Sequence, residues 1–167
     1  MSNPESYEKR LSDFNWSFAE QELDYKPGDN LNIGWHCSDR ICKMGFADKP
    51  ALIHEGLEGN AISYSFNDLR LASNTTANFL ENLGLKPEDR VCLFMDRVPE
   101  LYFSFIAVLK LGAIVQPLFS AFGEESLFVR MENAGTRAII TQRKYLSRIR
   151  KIKSRLPELQ FIIVVDH

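Results

Sequence analysis

Residues 90–118, RVCLFMDRVPELYFSFIAVLKLGAIVQPL, decide how this chain of 167 residues is read. Val91 to Met95 is a short apolar run rich in strand formers. Pro99 stands where the first residue of a helix belongs, since that position needs no N–H bond and proline's φ is already helical. The run Glu100 to Leu111 is apolar almost all round, which predicts a helix buried on more than one side. Gly112 fits the left-handed position after its last turn. Ala113 to Leu118 reads as a second buried strand. Two strands without a polar face, joined by a helix, are the pattern of a βαβ unit in a parallel sheet.

Downstream the same alternation continues. The loop Phe119-Ser120-Ala121-Phe122-Gly123 leads to a helix over about 124–134, with Leu127, Phe128 and Met131 inward and Gly135 at its end. Arg137 to Thr141 reads as a strand, Arg143 to Arg155 as a very basic helix with Leu146, Ile149 and Ile152 as its apolar stripe, and Phe161 to Val165 as a last strand. Strands beginning near 90, 113, 137 and 161, with one helix between each pair, predict an α/β fold. Its sheet is mainly parallel, built by right-handed crossovers with helices on both faces. No internal sequence repeat accompanies this regularity. In open α/β sheets the ligand crevice lies outside the carboxyl ends of the strands. Asp166-His167 fall at such a place, so the chain is expected to be a fragment of something longer.

Upstream, residues 1–29 are polar with scattered aromatics, Tyr7, Phe14, Trp16, Phe18 and Tyr25. Leu11, Phe14 and Phe18 recur at helical spacing, and Lys26-Pro27-Gly28-Asp29 breaks the pattern. This is expected to be a helical extension, too polar for a core of its own, ahead of an α/β body over 30–167. Asn30 or Asn32 is placed to cap a helix whose face carries Ile33, Cys37, Ile41 and Met44, ended by Gly45. Ala51 to His54 and Ala61 to Tyr64 predict a hairpin around the turn-rich residues 55–60. Ser65-Phe66-Asn67-Asp68 resembles a capping box. It opens a helix with Leu69, Ala72, Thr76, Phe79, Leu80 and Leu83 on one stripe, closed by Gly84.

With 20 basic and 22 acidic residues the net charge is -2, which makes no case for nucleic acid or an anionic membrane as partner. No apolar run approaches the ~20 residues of a membrane span. The first ten residues lack the basic-then-apolar order of a secretory signal. Cys37, Cys42 and Cys92 have no metal spacing and read as reduced cysteines of a cytoplasmic protein.

Neither glycine-rich phosphate loop, G-x-G-x-x-G or the Lys-Ser/Thr type, is present. His36 and Cys37 are adjacent on a predicted helix, about 100° apart, so spacing does not pair them. His54 and His167 have no evident partner, and surface histidines are the ordinary reading of all three. Asp39-Arg40 reads as a local ion pair or cap. Arg143, Lys144, Arg148, Arg150, Lys151, Lys153 and Arg155 make either a solvated helix face or a site for a phosphate-bearing ligand. Tyr102, Phe103, Phe105, Phe119 and Phe122 pack a core or line a cleft. No catalytic residue and no metal ligand is assigned. A flavodoxin-like receiver would need an acidic cluster at the strand ends, which Asp96 alone does not supply.

Four segments together resemble a known family. They are the N…C-x-D-R pattern of Asn32 to Arg40; Tyr64-Ser65-Phe66-Asn67-Asp68-Leu69; Asp89-Arg90-Val91 with Met95-Asp96-Arg97-Val98-Pro99-Glu100-Leu101; and Leu109-Lys110-Leu111-Gly112-Ala113-Ile114-Val115-Gln116-Pro117-Leu118, continued by Arg130 to Ala134. In this order they are similar to the N-terminal part of the AMP-forming acyl-CoA ligases of the adenylate-forming superfamily, the acetyl-CoA synthetases in particular. The resemblance implies a full-length parent using ATP, CoA and Mg to turn acetate into acetyl-CoA through an acetyl-adenylate. It implies that the ATP loop, acyl pocket and catalytic lysine lie beyond residue 167, leaving the chain alone inactive. It also implies that CoA meets the loop after residue 118 and arginines near the basic helix, so Arg148 and Arg150 are the expected CoA phosphate contacts. Ser120-Ala121 stands where many relatives carry two glycines. Open alternatives are another acyl-CoA synthetase or adenylation enzyme, and a truncated nucleotide- or protein-binding module. An unpaired sheet edge would favour self-association.

Overall fold

The computed structural model describes residues 6–26, 28–56 and 58–166, so the expectations placed on Pro27, Leu57 and His167 fall on residues outside that description. The chain divides into two units between Leu31 and Asn32. The first carries α1 (Tyr7–Asp13) and α2 (Trp16–Leu23). Ser6 and Asn15 cap them, their side chains accepting from the N–H groups of Lys9 and Ser17. Neither helix has a buried residue.

The second unit opens with α3 (Ile33–His36), α4 (Asp39–Ile41) and one π-helical turn, Cys42–Phe46. The hairpin follows as β1 (Pro50–Glu55) and β2 (Ala61–Ser65), antiparallel with Leu52 opposite Tyr64 and His54 opposite Ile62. Then come α5 (Phe66–Asn82), β3 (Arg90–Phe94), α6 (Pro99–Lys110), β4 (Ile114–Pro117), α7 (Glu124–Ala134) and β5 (Ala138–Thr141). A 3-10 turn, Arg143–Tyr145, leads into α8 (Leu146–Lys153), and β6 (Phe161–Val164) ends the sheet. The four long-range strands are all parallel, in the order β4-β3-β5-β6.

Strand alternation sorts the side chains into two cores. Val91, Leu93, Met95, Ala138 and Ile140 face Leu80 and Leu85 of the α5 segment and Val108 of α6. Cys92, Phe94 and Ile139 face Leu127, Phe128 and Met131 of α7 and Ile149 and Ile152 of α8. Helices therefore cover both faces. Most of these side chains are fully buried, each worth about 1.5–3 kcal/mol over an exposed position.

Local signals in the sequence have visible consequences. Ser65 and Asp68 form both arms of the capping box on α5. Arg90 donates to the carbonyls of Ala134 and Gly135, closing the end of α7. Gly135 sits at φ 59, and a Cβ there would come 2.7 Å from Arg90 Nη2. Asp89 meets Arg137 at 3.2 Å and caps the turn at Lys86. The D-R-V segment is thus a fastening between β3, β5 and α7.

Two expectations are corrected. The strand at 114–117 is not buried on both faces, because the strand order puts it at an edge, with Ile114 half exposed to solvent. The single helix expected from residue 33 to Gly45 is broken at Cys37-Ser38, and its supposed inner residues Ile33, Cys37 and Met44 are exposed. Gly34 and Ser38 are buried instead. Gly34 lets α3 lie directly on the backbone of α6, where a Cβ would fall 2.7 Å from Lys110 N and 2.8 Å from Ile106 O.

Candidate functional site

The order β4-β3-β5-β6 contains one topological switch. The connection after β3 runs through α6 on one face, and that after β5 runs through α8 on the other. A crevice is expected between the carboxyl ends of those two strands. Asp96 follows β3 there, and Gln142 to Tyr145 follow β5.

Hydrogen bonds tie the strand ends together. The Asp96 N–H donates to Gln142 Oε1 at 2.9 Å. The Asp96 carboxylate accepts from Lys144 Nζ and from the Tyr145 hydroxyl. Lys144 first, then Tyr145, with a smaller contribution from the Ser120 hydroxyl, hold Asp96 below the usual carboxylate range. Asp96 in turn raises Lys144. Thr141 Oγ1 donates to Phe94 O at 2.6 Å, and Asp166 Oδ1 accepts from the Arg143 N–H at 2.6 Å.

Two depressions flank the Asp96–Lys144 pair. One, of about 560 Å³, is lined by Arg143, Lys144, Ser147, Arg150 and Asp166. The other, of about 530 Å³, is lined by Met95, Leu101, Leu118 and Phe119 with Asp96 and Arg97 at its polar side. The first is cationic and the second mainly apolar.

Of the seven cations expected from the basic helix, most have a partner. Lys151 pairs with Glu124 at 2.6 Å, and Arg155 with Glu125 at 2.9 Å while stacking on Phe128. Arg148 is half-buried and donates through Nη1 to Ser120 O at 2.9 Å and Phe122 O at 3.2 Å. Arg150 is exposed on the wall of the cationic depression, with no hydrogen-bond or ion-pair partner among the described residues. The structure thus separates two arginines that the sequence treats alike.

Other candidates lie elsewhere. Asp39 pairs with Lys110 at 2.6 Å, the two side chains 17 % and 9 % exposed respectively. Burial alone would raise Asp39; the Lys110 hydrogen bond and charge, with Ser38 and Asn74, outweigh it and hold the carboxyl low. His36 Nδ1 is buried without a hydrogen-bond partner among the described residues, and the ring lies edge-on to Trp35. No group of His, Cys, Asp and Glu among them is placed to hold a metal. The three cysteines are free, and burial pushes the Cys92 thiol far up. Phe103 packs edge-on to Tyr64, and Phe119 edge-on to Phe122 in the loop after β4. No helix among the described residues is long and apolar enough to cross a membrane.

A parallel α/β sheet with a cationic crevice at its switch point defines a domain suited to anionic ligands. The chain belongs to the AMP-binding enzyme family, which matches residues 42–167. It is 34% identical to the acetyl-coenzyme A synthetase of Bacillus subtilis over 164 residues, 98% of this chain and 28% of that protein. It is 33% identical to a crotonobetaine/carnitine–CoA ligase of Salmonella paratyphi A over 132 residues, 78% of this chain and 25% of the relative. The crystal structure of an acyl-CoA synthetase from Brucella canis has the same fold, with a TM-score of 0.84 at 24% identity over 96% of this chain and 28% of that one. The chain therefore spans about a quarter of the length of these relatives.

Proposed function

We propose that the chain is the N-terminal part of an AMP-forming short-chain acyl-CoA ligase, with acetate as the acid. The reading rests on the 34% identity to an acetyl-coenzyme A synthetase across nearly the whole chain. In the parent reaction a carboxylate oxygen of the acid attacks the α-phosphorus of ATP and pyrophosphate leaves. The CoA sulfur then attacks the acyl carbon and AMP leaves. Catalysis of this kind depends on positioning and charge neutralisation, with Mg among the counter-charges. The present chain contributes to CoA binding: the cationic depression takes a CoA phosphate, with Arg150 in contact and Arg148 beside it. Arginine forks suit phosphate oxygens, and Arg150 is open to solvent. Asp166 on the same wall opposes an anion, so the site is a weak one by itself. A cytoplasmic location, matching the free thiols, belongs to the same proposal.

The 33% identity to a crotonobetaine/carnitine–CoA ligase favours one second reading, a ligase for another small acid. Pyrophosphate release by the full-length protein, with acetate, propionate, butyrate and crotonobetaine each supplied alone, separates them. Acetate-dependent release followed by acetyl-CoA formation is expected. Release dependent on crotonobetaine and not on acetate would establish the second reading. The 167-residue chain alone is expected to form no acyl-CoA.

A further inference from the structure

The loop 119–123 leaves β4, an edge strand, and enters α7 through Gly123, which offers no side-chain cap. Its backbone makes one turn bond, Phe122 N–H to Phe119 O at 2.9 Å. Its remaining order comes from other elements. Arg148 Nη1 grips the carbonyls of Ser120 and Phe122 together. The Arg130 guanidinium lies 4.3 Å over the Phe122 ring, and the Arg148 guanidinium 5.4 Å over that of Tyr145. Tyr145 and Lys144 hold Asp96, which forms part of the apolar depression together with Phe119 and Ser120. Lys144 also lines the cationic depression. One set of contacts therefore fixes the loop and the wall between the two depressions.

We propose that Arg148 is a positioning residue: it fixes the 119–123 loop, and through that loop sets the affinity of the crevice for CoA, while Arg150 meets the phosphate. The proposal rests on the CoA reading above. Charge alone does not make an arginine a phosphate ligand. Arg148 has already turned Nη1 to two carbonyl dipoles and is half-buried, whereas the exposed Arg150 guanidinium has no hydrogen-bond or ion-pair partner among the described residues. A loop held in one conformation before the ligand arrives has less freedom to lose on binding. Without the grip on its two carbonyls the five-residue loop keeps only its turn bond and the Phe119 and Arg130 contacts to Phe122, so more of its freedom remains to be lost when the ligand binds.

The test compares the wild-type full-length protein with its R148K, R148Q and R150Q variants. CoA is titrated at several salt concentrations, and the backbone amides of Ala121, Phe122 and Gly123 are followed by NMR. R150Q is expected to weaken binding, flatten its salt dependence and leave the loop amides in place. R148Q is expected to raise Kd about tenfold, to shift or broaden those amides, and to keep the wild-type salt dependence. R148K keeps the charge but lacks the planar guanidinium that carries Nη1 to both carbonyls, so its loop and its affinity should follow R148Q. Wild-type affinity in R148K with an unmoved loop, or a salt dependence flattened in R148Q as much as in R150Q, would make Arg148 a direct contact and overturn the proposal. No CoA binding by the wild-type full-length protein would overturn the CoA reading instead. The loop amides of R148Q and R148K would then decide the positioning role, and their staying in place would refute it.

Discussion

Replacing Gly34 by alanine tests the packing of α3 on α6. The new Cβ would stand 2.7 Å from Lys110 N and 2.8 Å from Ile106 O, both backbone atoms of a helix in the centre of the unit. Neither can swing aside as a side-chain end would. Ordinary contact begins near 3.4 Å, so α3 must retreat by about 0.7 Å. That displacement strains the 2.9 Å bond from Asn32 Nδ2 to Lys110 O and the 2.6 Å pair between Asp39 and Lys110. Overpacking of this kind costs about 1–3 kcal/mol, and a weakened hydrogen bond adds about 0.5–1.5 kcal/mol. The better helix propensity of alanine returns at most about 1 kcal/mol. The net expectation is a loss of about 2 kcal/mol. Urea unfolding followed by far-ultraviolet circular dichroism reads it directly. With a slope of about 2 kcal/mol per molar urea, the midpoint of G34A should fall by about 1 M. G56A is the control, since a Cβ there meets only Asn60 O at 3.9 Å. It should shift the midpoint by no more than about 0.25 M. A midpoint for G34A equal to or above wild type would refute the close approach and the account of why this segment needs glycine.

Other predictions concern single groups. K110M removes the partner of a mostly buried Asp39 and the donor to Asn74 Oδ1. It should cost about 2 kcal/mol, between the values for exposed and fully buried pairs, measured by the same urea curves. Because the folded-state pKa of Asp39 is depressed, the stability it contributes is full above the unfolded carboxylate pKa, about 4, and is lost as pH falls through the folded value. The difference between wild type and D39N should therefore be constant from pH 7 to 5 and shrink below pH 4; a difference that grew there would give the opposite sign. Under native conditions a thiol-disulfide reagent should label exposed Cys37 first and reach Cys92 only on unfolding, since Cys92 is fully buried and its thiol pKa raised. Labelling of Cys92 at the rate of Cys37, read by peptide mass, would count against the two-faced core. D166N removes the carboxylate beside Arg143 and Arg150 while keeping an acceptor for the Arg143 N–H. CoA affinity should rise about two- to threefold at low salt and converge with wild type at high salt.

Strand positions were legible because parallel strands are short, apolar and evenly spaced: β3 and β5 are buried in the middle of the sheet, and β6, half-buried at its edge, is as apolar. Helix ends were legible where the signal is local: the Ser65–Asp68 box, Pro99, and glycine after α5, α6 and α7. The segment 33–45 was misread because its hydrophobic spacing imitates an amphipathic helix. What organises it is the absence of a side chain at Gly34 and a hydroxyl at Ser38 that donates to Gly34 O at 2.7 Å. Neither signal is hydrophobic, so a search for apolar stripes passes over both. The one trace in the sequence is the resemblance of Asn32 to Arg40 to a family segment, and its polar residues act here in packing: Asn32 caps α3 and binds α6, and Asp39 pairs with Lys110.

The crevice follows the same logic. Its location could be derived from strand order, but its chemistry depends on which charges remain after the fold has satisfied its own. Reading the basic helix as a row of cations gives no ranking among them. Once Asp96, Glu124, Glu125 and the loop carbonyls have taken Lys144, Lys151, Arg155 and Arg148, the guanidinium groups of Arg143 and Arg150 are the ones left facing the cationic depression. Those partners lie 26 to 48 residues away in sequence, so only the folded chain reveals the subtraction. Asp96 is the clearest case. Its N–H donates to Gln142 Oε1, 46 residues away in sequence. Its carboxylate also takes the charge of Lys144 that would otherwise face the depression. An anion entering there would therefore compete with Asp96 for Lys144, whereas the side chains of Arg143 and Arg150 have no such partner among the described residues.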